Sequence, residues 1–584
     1  MRWWALLGML SVVACTGGED IKEFTHLECP GVMARQPPSR EPWEQTLGRS
    51  PWKLSEGERQ PFLVRYRTEA LFGANSVQRA GGEVQAVFHT VPAVAARLTP
   101  SELARLAEDP DVEEIEPDVE VRALGVPHLV NRSVLAAPRL NGSPDEYTRP
   151  LRMVQAQEVW DANEDGVLDP GAPTGEGIKV CVIDSGIDPR HPELQLPYKA
   201  GYDYEDEDED PSARTNELWG LGHGTHVAGI IAAQLGSGGT TLPEMSTDGM
   251  VGVAPGVELL IARVLNVHER ASVSTVMRAL EWCQQQGANL VSLSLGSPID
   301  MGTTAEQAFQ AARDAGMLII AASGNGSSPD AEAPVSYPAA YPSVLAVGAV
   351  DEEGELAYFS NRGPRLSLVA PGVDVLSSVR RKAATVPELE AEGQRFGSRS
   401  LFFAEEGDYT GELVDCGAGK HRGCKGGTCD GFVAYVRLPV GYSPSSLAQN
   451  VMKQGAKAII FGADMSENKS WQFALEGPGS YRWVPATAVG QESRDSVRKY
   501  LGKQVRVSLR GVDYAYFPGT SMATPHVTGV AALVWSARPT LTADEVQQLL
   551  ERTTRDLGDP GFDEQYGHGL VQAKAALDAL QAMP

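Results

Sequence analysis

The stretch Gly177-Ile178-Lys179-Val180-Cys181-Val182-Ile183-Asp184 decides the fold class of this 584-residue chain. It is an apolar run of strand length that ends on a carboxylate, which is typical of a buried strand. Further apolar strands are predicted at 259–265, 289–295, 317–322 and 343–350, and helices at 225–235, 272–286 and 305–315. Apolar strands that alternate with helices predict an α/β fold, with a parallel sheet covered by helices on both faces.

This α/β pattern is interrupted after Val379 and resumes at Tyr516. Between them, short β runs at 431–438, 458–461 and 505–509 surround one predicted helix at 446–454. We therefore expect a main domain in two parts, 151–394 and 512–584. A mainly β domain at 395–511 is inserted in a surface loop, where compact folds accept insertions.

The chain before the main domain is predicted to form a small α+β unit at 59–122, between two linkers. Strands are predicted at 61–66, 84–91 and 112–118, and a helix at 99–108. Residues 16–58 and 123–150 are rich in Pro, Gly and polar residues, which is typical of connecting segments. The main domain is thus preceded by an independent folding unit.

The first fifteen residues predict export from a bacterial cell. Arg2 precedes a short apolar run at 3–14, which is too short to span a bilayer. Val12-Val13-Ala14-Cys15 resembles a bacterial lipobox, in which Cys15 would be lipidated. An ordinary signal peptide cleaved after Ala14 is the alternative.

Composition argues for a folded protein that does not bind nucleic acid. Apolar residues make up 42% of the chain, which supports large buried cores, and the net charge is −26. Binding to phosphates needs basic patches, so nucleic acid is excluded as a partner.

Ser521 is the candidate nucleophile. It lies in Gly519-Thr520-Ser521-Met522-Ala523-Thr524-Pro525-His526, directly before an apolar helical run at 527–535. The N-terminus of a helix favours negative charge, and small neighbours let a substrate backbone approach. Taken alone, a serine at this position is usually only a helix cap.

His223 and Asp184 are the candidate base and the group that orients it. His223 lies between two glycines in Gly222-His223-Gly224-Thr225-His226, and Asp184 ends the first apolar strand, where open α/β sheets place their sites. His226 and Asp188 are the rival residues, and we expect structural roles for both.

The three motifs together resemble the subtilases, a family of serine proteases, and their order Asp, His, Ser is that of subtilisin. The resemblance implies a subtilisin-like three-layer fold, hydrolysis of peptide bonds through an acyl-enzyme and synthesis as an autoprocessed zymogen. The α+β unit, with Val112-Glu113-Glu114-Ile115-Glu116-Pro117-Asp118, resembles the inhibitory propeptide of that family.

The resemblance also implies further site residues. Asn325 would donate its amide to the oxyanion, together with the backbone N–H of Ser521. The walls and floor of the specificity pocket would be Ser294, Leu295, Gly296, Ser323, Gly324 and Ser336. The opposite edge departs from the family, because Glu269-Arg270-Ala271 stands where a glycine-rich segment is usual.

The inserted region resembles a protease-associated domain. The similarity rests on Gly411-Glu412-Leu413-Val414-Asp415-Cys416, on the strand Ala458-Ile459-Ile460-Phe461 and on Val484-Pro485-Ala486-Thr487-Ala488-Val489. An insertion of unrelated fold is the alternative.

Two acidic loops are candidates for structural calcium. The run at 205–210 is the denser in carboxylates, but such a run is more often a solvated face. Asp161, Asn163, Asp165 and Asp169 have the spacing of the front half of an EF-hand loop, but Ala172 stands where the bidentate glutamate belongs. A solvated turn is an equally good reading. The chemistry itself is expected to need no cofactor.

The seven cysteines leave pairing open. Apart from Cys15, a local bridge among Cys416, Cys424 and Cys429 is expected. Cys181, inside an apolar strand, is predicted to be a buried thiol.

The sequence therefore predicts an exported serine endopeptidase that acts on proteins or peptides as a monomer, with its own propeptide as inhibitor. If Cys15 is lipidated, the precursor is held at a membrane and autocleavage frees the mature enzyme. A non-catalytic binding scaffold and an esterase that uses the same triad are the alternatives.

Overall fold

A computed structural model describes residues 57–67, 70–124, 146–214, 221–401, 403–419, 424, 431–439, 442–465, 473, 475 and 483–583. The predicted export signal, Cys15, Cys429 and most of both predicted linkers lie outside these residues. None of the described helices combines the length and the hydropathy that crossing a bilayer requires.

The N-terminal unit is an antiparallel sheet with two helices on one face. Its elements are β1 (Gln60–Tyr66), α1 (Ala70–Arg79), β2 (Glu83–Val87), β3 (Ala93–Leu98), α2 (Pro100–Ala107) and β4 (Val112–Pro117), with strand order β2-β3-β1-β4. Helix α2 begins at a capping box, in which Thr99 and Glu102 each accept the other's backbone N–H. Along β1, Phe62 and Val64 face the unit's own core, whereas Leu63 joins a core of the main domain.

The main domain is built on a parallel seven-stranded sheet. The elements up to residue 378 are β5 (Glu120–Ala123), α3 (Arg149–Met153), α4 (Gln157–Trp160), β6 (Lys179–Asp184), β7 (Tyr198–Asp203), α5 (His223–Ala232), β8 (Glu258–Arg263), β9 (Arg270–Ser272), α6 (Val273–Gln285), β10 (Leu290–Leu293), β11 (Leu295–Gly296), α7 (Thr303–Asp314), β12 (Leu318–Ala322), β13 (Val344–Val350), β14 (Leu368–Pro371) and β15 (Val375–Ser378). The sheet order is β14-β13-β12-β10-β6-β8-β7, and all of its neighbouring strands are parallel. This is the predicted α/β architecture.

Strand β6 supplies side chains to both layers of that architecture. Val180 and Val182 enter one hydrophobic core, and Cys181 and Ile183 enter the other. All four side chains are at most 1% exposed, which explains why the strand is apolar at every position rather than at alternate ones.

The prediction that Cys181 is a buried free thiol is wrong. Cys181 forms a disulfide with Cys283 of α6, with a Cα–Cα distance of 5.8 Å across a sequence separation of 102 residues. Helix α6 packs over the face of the sheet to which Cys181 points, and this packing brings the two sulfurs together. The second disulfide, Cys416–Cys424, is the local bridge that was predicted.

An eight-stranded mixed sheet follows the first part of the main domain. It contains β16 (Ala384–Ala391), β17 (Gln394–Phe396), β18 (Arg399–Ser400), β19 (Gly407–Asp415), β20 (Phe432–Leu438), α8 (Pro444–Met452), β21 (Ala456–Ala463), β22 (Ala486–Val489), α9 (Gln491–Arg498) and β23 (Gln504–Val512). Its apolar residues form a hydrophobic core of their own. A separate core is what an inserted domain requires.

The chain then returns to the main domain through β24 (Tyr514–Phe517), which pairs with β15, and ends in α10 (Thr520–Ala537), α11 (Ala543–Arg552) and α12 (Ala573–Gln581). Helix α10 packs against α5 and crosses β10, β12, β13 and β14. Its first sixteen residues are all buried, so its N-terminus is held rigidly at the middle of the sheet.

Candidate active site

Asp184 and His223 form a buried hydrogen-bonded pair at the C-terminal end of β6. The Nδ1 atom of His223 lies 2.8 Å from Oδ1 and 3.0 Å from Oδ2 of Asp184. Asp184 is 0% exposed and His223 is 6% exposed. Because ionised carboxylate oxygens only accept hydrogen bonds, Nδ1 carries the proton and Nε2 is left with the lone pair of a base.

Glycine is required next to His223 because the chain passes very close to Asp184 there. A Cβ atom on Gly224 would lie 2.2 Å from the carbonyl oxygen of Gly186 and 3.1 Å from Oδ1 of Asp184. The backbone N–H of Gly224 also donates to the hydroxyl of Ser185, at 3.1 Å. The glycine therefore permits the close approach of the two chain segments that brings His223 to Asp184.

The rival residues are held in other contacts. His226 is buried, its Nε2 atom lies 3.1 Å from the carbonyl oxygens of Val375 and Ala515, and burial lowers its pKa to about 3. Asp188 accepts the backbone N–H groups of Arg190 and Arg381, at 3.1 and 3.0 Å. His226 is thus a neutral residue of the core, and Asp188 closes a turn.

Ser521 lies in the first turn of α10, after Gly519, whose φ of 141° is in the region that favours glycine. Its side chain is buried, and its Oγ atom donates to the carbonyl oxygen of Ser294 at 3.1 Å. In return, the hydroxyl of Ser294 donates to the carbonyl oxygen of Ser521 at 2.8 Å. Packing of α10 against α5 brings the helix of Ser521 to the helix that begins at His223.

Asn325 lies beside the same helix N-terminus. Its Oδ1 atom accepts the backbone N–H and the hydroxyl of Thr520, at 3.0 and 2.9 Å. These two contacts fix the orientation of the amide, so Nδ2 points the other way. Nδ2 is buried and has no hydrogen-bond partner among the described residues, so it is a donor available to a ligand.

Three of the residues predicted to line the specificity pocket, Ser323, Gly324 and Ser336, lie next to one another. The backbone N–H of Ser336 donates to the carbonyl oxygen of Ser323 at 2.8 Å. Gly324 has a φ of 112°, and a Cβ atom there would lie 2.5 Å from Oγ of Ser336. Leu295 and Gly296 form β11, directly after Ser294.

Two polar residues that support these groups were missed in the sequence. Asn361 donates through Nδ2 to Oγ of Ser336 at 3.1 Å, and its Oδ1 accepts the N–H of Gly326 at 2.7 Å. Thr520 orients Asn325, as described above. Thr520 lies within the serine motif and could have been found there, but the role of Asn361 depends on contacts between distant segments.

A groove between β11 and β9 is filled by a strand of the N-terminal part of the chain. Strand β5 pairs antiparallel with both edges, so that Ala123 faces Leu295 and Arg122 faces Arg270. The next residue, Leu124, donates its N–H to the carbonyl oxygen of Ser294 at 3.1 Å. The groove therefore holds an extended peptide by strand addition, with side chains set alternately towards and away from the protein.

Carboxylates fasten the N-terminal unit to the main domain. Asp118 accepts the backbone N–H of Ser274 at 2.9 Å, near the N-terminus of α6. Glu116 accepts the N–H groups of Thr303 and Thr304, at 2.6 and 2.9 Å, at the N-terminus of α7. Negative charge is favourable at the N-terminus of each of these two helices, so these contacts fix the path of the chain into β5.

The predicted calcium loop is closed by its own backbone. Asp161 accepts the N–H groups of Asp165 and Gly166, at 3.1 and 2.9 Å, and Asp169 accepts that of Ala162 at 3.0 Å. Asn163 instead donates to Asp165, at 2.9 Å. In the part of the chain that the structure describes, no three His, Cys, Asp or Glu side chains are arranged to hold a metal ion.

The chain is similar to known proteins over most of its length. The subtilase family, Peptidase S8, matches residues 175–398 and 464–569, and the peptidase inhibitor I9 family matches residues 63–124. The thermostable alkaline protease of Halalkalibacterium halodurans is 30% identical over 519 residues, which cover 89% of this chain and 92% of that protein. The M-protease of Shouchella clausii is 36% identical over 293 residues, which cover 50% of this chain and 63% of that protein, less than two thirds of its length.

A solved structure shows the same fold. Fervidolysin from Fervidobacterium pennivorans, a keratinolytic enzyme related to subtilisin, matches with a TM-score of 0.55 and 22% identity, over 90% of this chain and 62% of that one. The family match itself covers more than half of the 584 residues. The chain therefore belongs to the subtilase family and carries an I9 inhibitor domain ahead of its main domain.

Proposed function

We propose that this protein is a serine endopeptidase that is made as a zymogen and cleaves its own chain after Leu124. One observation carries the proposal. The N–H of Leu124 and the hydroxyl of Ser521 both donate to the carbonyl oxygen of Ser294, each at 3.1 Å. The segment that ends the inhibitor domain is thus bound in the groove as a substrate would be, and Leu124 shares a hydrogen-bond acceptor with the candidate nucleophile.

In the proposed mechanism Asp184, His223 and Ser521 form the catalytic triad. Asp184 holds the imidazole through Nδ1, so that Nε2 takes the proton of the Ser521 hydroxyl as Oγ attacks the carbonyl carbon. The imidazolium then gives this proton to the leaving amine. Water hydrolyses the acyl-enzyme in a second step of the same kind, which restores the serine.

The developing oxyanion is stabilised by the amide of Asn325 and by the backbone N–H of Ser521. Both donors are in place before substrate binds, because Thr520 holds Asn325 and α10 holds Ser521. Preorganised donors cost no rearrangement when charge develops, so they act mainly on kcat.

Replacing Asn325 tests this assignment. We expect Asn325→Ala to lower kcat by about 10²- to 10³-fold, with little change in KM, because the donor serves the transition state. Asn325→Asp is the matched variant, since it keeps the acceptor for Thr520 and removes only the Nδ2 donor. Steady-state kinetics on a peptide anilide should show the same loss for both variants. An Asp variant with wild-type kcat would contradict the role.

The processing bond tests the proposed function as a whole. We expect the purified precursor to convert itself to a product whose N-terminal residue is Gly125, at a rate that does not depend on protein concentration. N-terminal sequencing and intact mass report the bond, and a dilution series reports whether cleavage is intramolecular. Cleavage of this amide bond would also exclude an enzyme restricted to esters.

The alternatives give other results in this experiment. A non-catalytic scaffold leaves the precursor intact at every concentration, although peptides still bind in its groove. An esterase hydrolyses activated esters and leaves the Leu124–Gly125 bond uncut. Cleavage that begins at another residue would contradict the register of β5.

Four finer predictions also belong to this proposal. Export with a lipid anchor at Cys15 is supported by the sequence of the first fifteen residues. The protease-associated character of the inserted sheet is supported by sequence similarity, and its separate core suits a ligand-binding accessory domain. A monomeric state and calcium bound at the loop 161–169 remain predictions from the sequence.

A further inference from the structure

The groove edge at Glu269 differs from the rest of the candidate site in carrying an acidic side chain. Glu269 directly precedes β9 and has a φ of 57°, a left-handed conformation that is uncommon for residues other than glycine. Its N–H donates to the carbonyl oxygen of Asn266 at 2.8 Å, and its own carbonyl oxygen accepts the N–H of Ala123 at 3.1 Å. The residue is therefore held in the edge that pairs with the bound strand.

The pairing register sets Glu269 beside one residue of that strand. Arg122 faces Arg270 and Val121 faces Ala271, and the next contact along the two segments joins Ala123 to Glu269. Val121 is buried whereas Arg122 is exposed, so Ala123 lies on the face of its strand that is turned towards the main domain. Glu269 itself is half-buried.

The carboxylate of Glu269 has no cation to pair with in this state. No hydrogen bond or ion pair reaches it from any described residue, while the neighbouring Glu120 pairs with Arg122 at 2.8 Å and with Arg270 at 3.4 Å. Burial raises the pKa of Glu269 to about 7, and the Asp184 carboxylate adds to that rise. The charge of a protonated His223 would oppose the rise.

The geometry points to Glu269 as a specificity-determining residue that selects Lys or Arg at the substrate position occupied here by Ala123. This inference rests on the proposed peptidase function and names a substrate class for it. The methyl group of Ala123 offers no positive charge to the Glu269 carboxylate. A long basic side chain at this position would extend along the groove edge and pair with the carboxylate. The inhibitor domain would then bind with a small neutral residue where the preferred substrate is basic.

The charged groups around this position do not supply the missing cation. His223 and Asp184 lie on the catalytic side and already bond to each other. Arg122 and Arg270 project to the exposed face, where they meet Glu120. His268 is the remaining charged neighbour on the same segment, and it is exposed.

Peptides that differ at one position test the inference. Four substrates of identical sequence would carry Ala, Lys, Arg or Glu at the second residue before the cut, with Leu next to the bond. We expect kcat/KM for Lys and Arg to exceed that for Ala by about 10-fold, and the Glu peptide to be the poorest substrate. The ratio of Lys to Ala should rise with pH and level off above about 7, because the carboxyl stays protonated up to that pH when Ala faces it.

Two variants assign the preference to Glu269. Glu269→Gln should bring the ratio of Lys to Ala close to 1 and remove its pH dependence, and Glu269→Lys should favour the Glu peptide. Glu412→Gln, which changes an exposed carboxylate of the inserted sheet, is the matched control and should keep the wild-type ratio. The readout is the ratio between peptides, so a general loss of activity does not imitate the effect.

The outcomes separate this inference from the proposed function. If no peptide is cut, the peptidase proposal fails. If the Ala peptide is cut and the Lys and Arg peptides are not preferred, the inference about Glu269 alone is overturned. If Glu269→Gln lowers kcat/KM equally for all four peptides, Glu269 acts on His223 and not on the substrate, which also overturns it.

Discussion

Ser521→Ala should abolish both peptidase activity and maturation of the precursor. We expect kcat to fall by about 10⁶-fold, which is the size of the effect when the nucleophilic serine of a subtilisin is removed. The reason is that Oγ is the atom that bonds to the substrate carbonyl in the proposed mechanism, and no other described hydroxyl shares its contact with Ser294 at the N-terminus of α10. The precursor should therefore keep its Leu124–Gly125 bond, as shown by intact mass.

The matched control for this variant lies on the same helix. Ser536 is in the last turn of α10 and donates to the carbonyl oxygen of Leu533 at 2.9 Å, far along the helix from the groove. Ser536→Ala should mature and hydrolyse peptides like the wild type. A Ser521→Ala precursor that matures at the normal rate would show that another protease cuts the bond, and the autocatalytic proposal would be withdrawn.

Removal of the Cys181–Cys283 disulfide should cause the largest loss of stability among simple changes to the main domain. The bridge closes a loop of 102 residues, and a loop of that length is worth about 4–5 kcal/mol in the chain-entropy description. Both sulfurs are buried between α6 and the sheet, so the double variant Cys181→Ala, Cys283→Ala also leaves a small cavity. The melting temperature of the main domain should fall by roughly 5–10 °C.

This measurement is best made in the Ser521→Ala background, where unfolded chains are not digested by active enzyme. The double variant Cys416→Ala, Cys424→Ala is the control, because it opens a separation of only 8 residues in the inserted domain. In the same description that bridge is worth about 2–3 kcal/mol, and its loss should leave the transition of the main domain unchanged. If the main domain has the same melting temperature with and without Cys181 and Cys283, the prediction is wrong.

The two disulfides also show how far pairing can be predicted from sequence. Cys416, Cys424 and Cys429 are close along the chain, and this nearness predicts a bridge among them without choosing the pair that forms it. The apolar neighbours of Cys181 predict a buried thiol, a pattern that describes its burial correctly but carries no information about α6. Its partner is found only when the crossover from β8 to β10 lays that helix over β6.

The residues that line the specificity groove are harder to predict from the sequence than the three residues at its centre. Asp184, His223 and Ser521 each belong to a short motif with its own local reason, namely a strand end or a helix N-terminus, and such motifs can be read along the chain. The role of Glu269 cannot be read in this way, because it depends on which residue of β5 comes opposite to it. That register is decided by the pairing of Glu120–Ala123 with a segment about 150 residues away.

The sequence by itself determined the family, the parallel sheet with helices on both faces and the α+β unit that precedes it. These features follow from periodicity and from motifs of eight or fewer residues, within which each residue contacts its own neighbours. Only the tertiary structure decided which cysteine meets Cys181, that β5 fills the groove with Leu124 bonded to Ser294, and that Glu269 accepts the N–H of Ala123. Each of these is a contact between segments far apart in the chain, so it is set by how the layers pack and by strand register rather than by local preference.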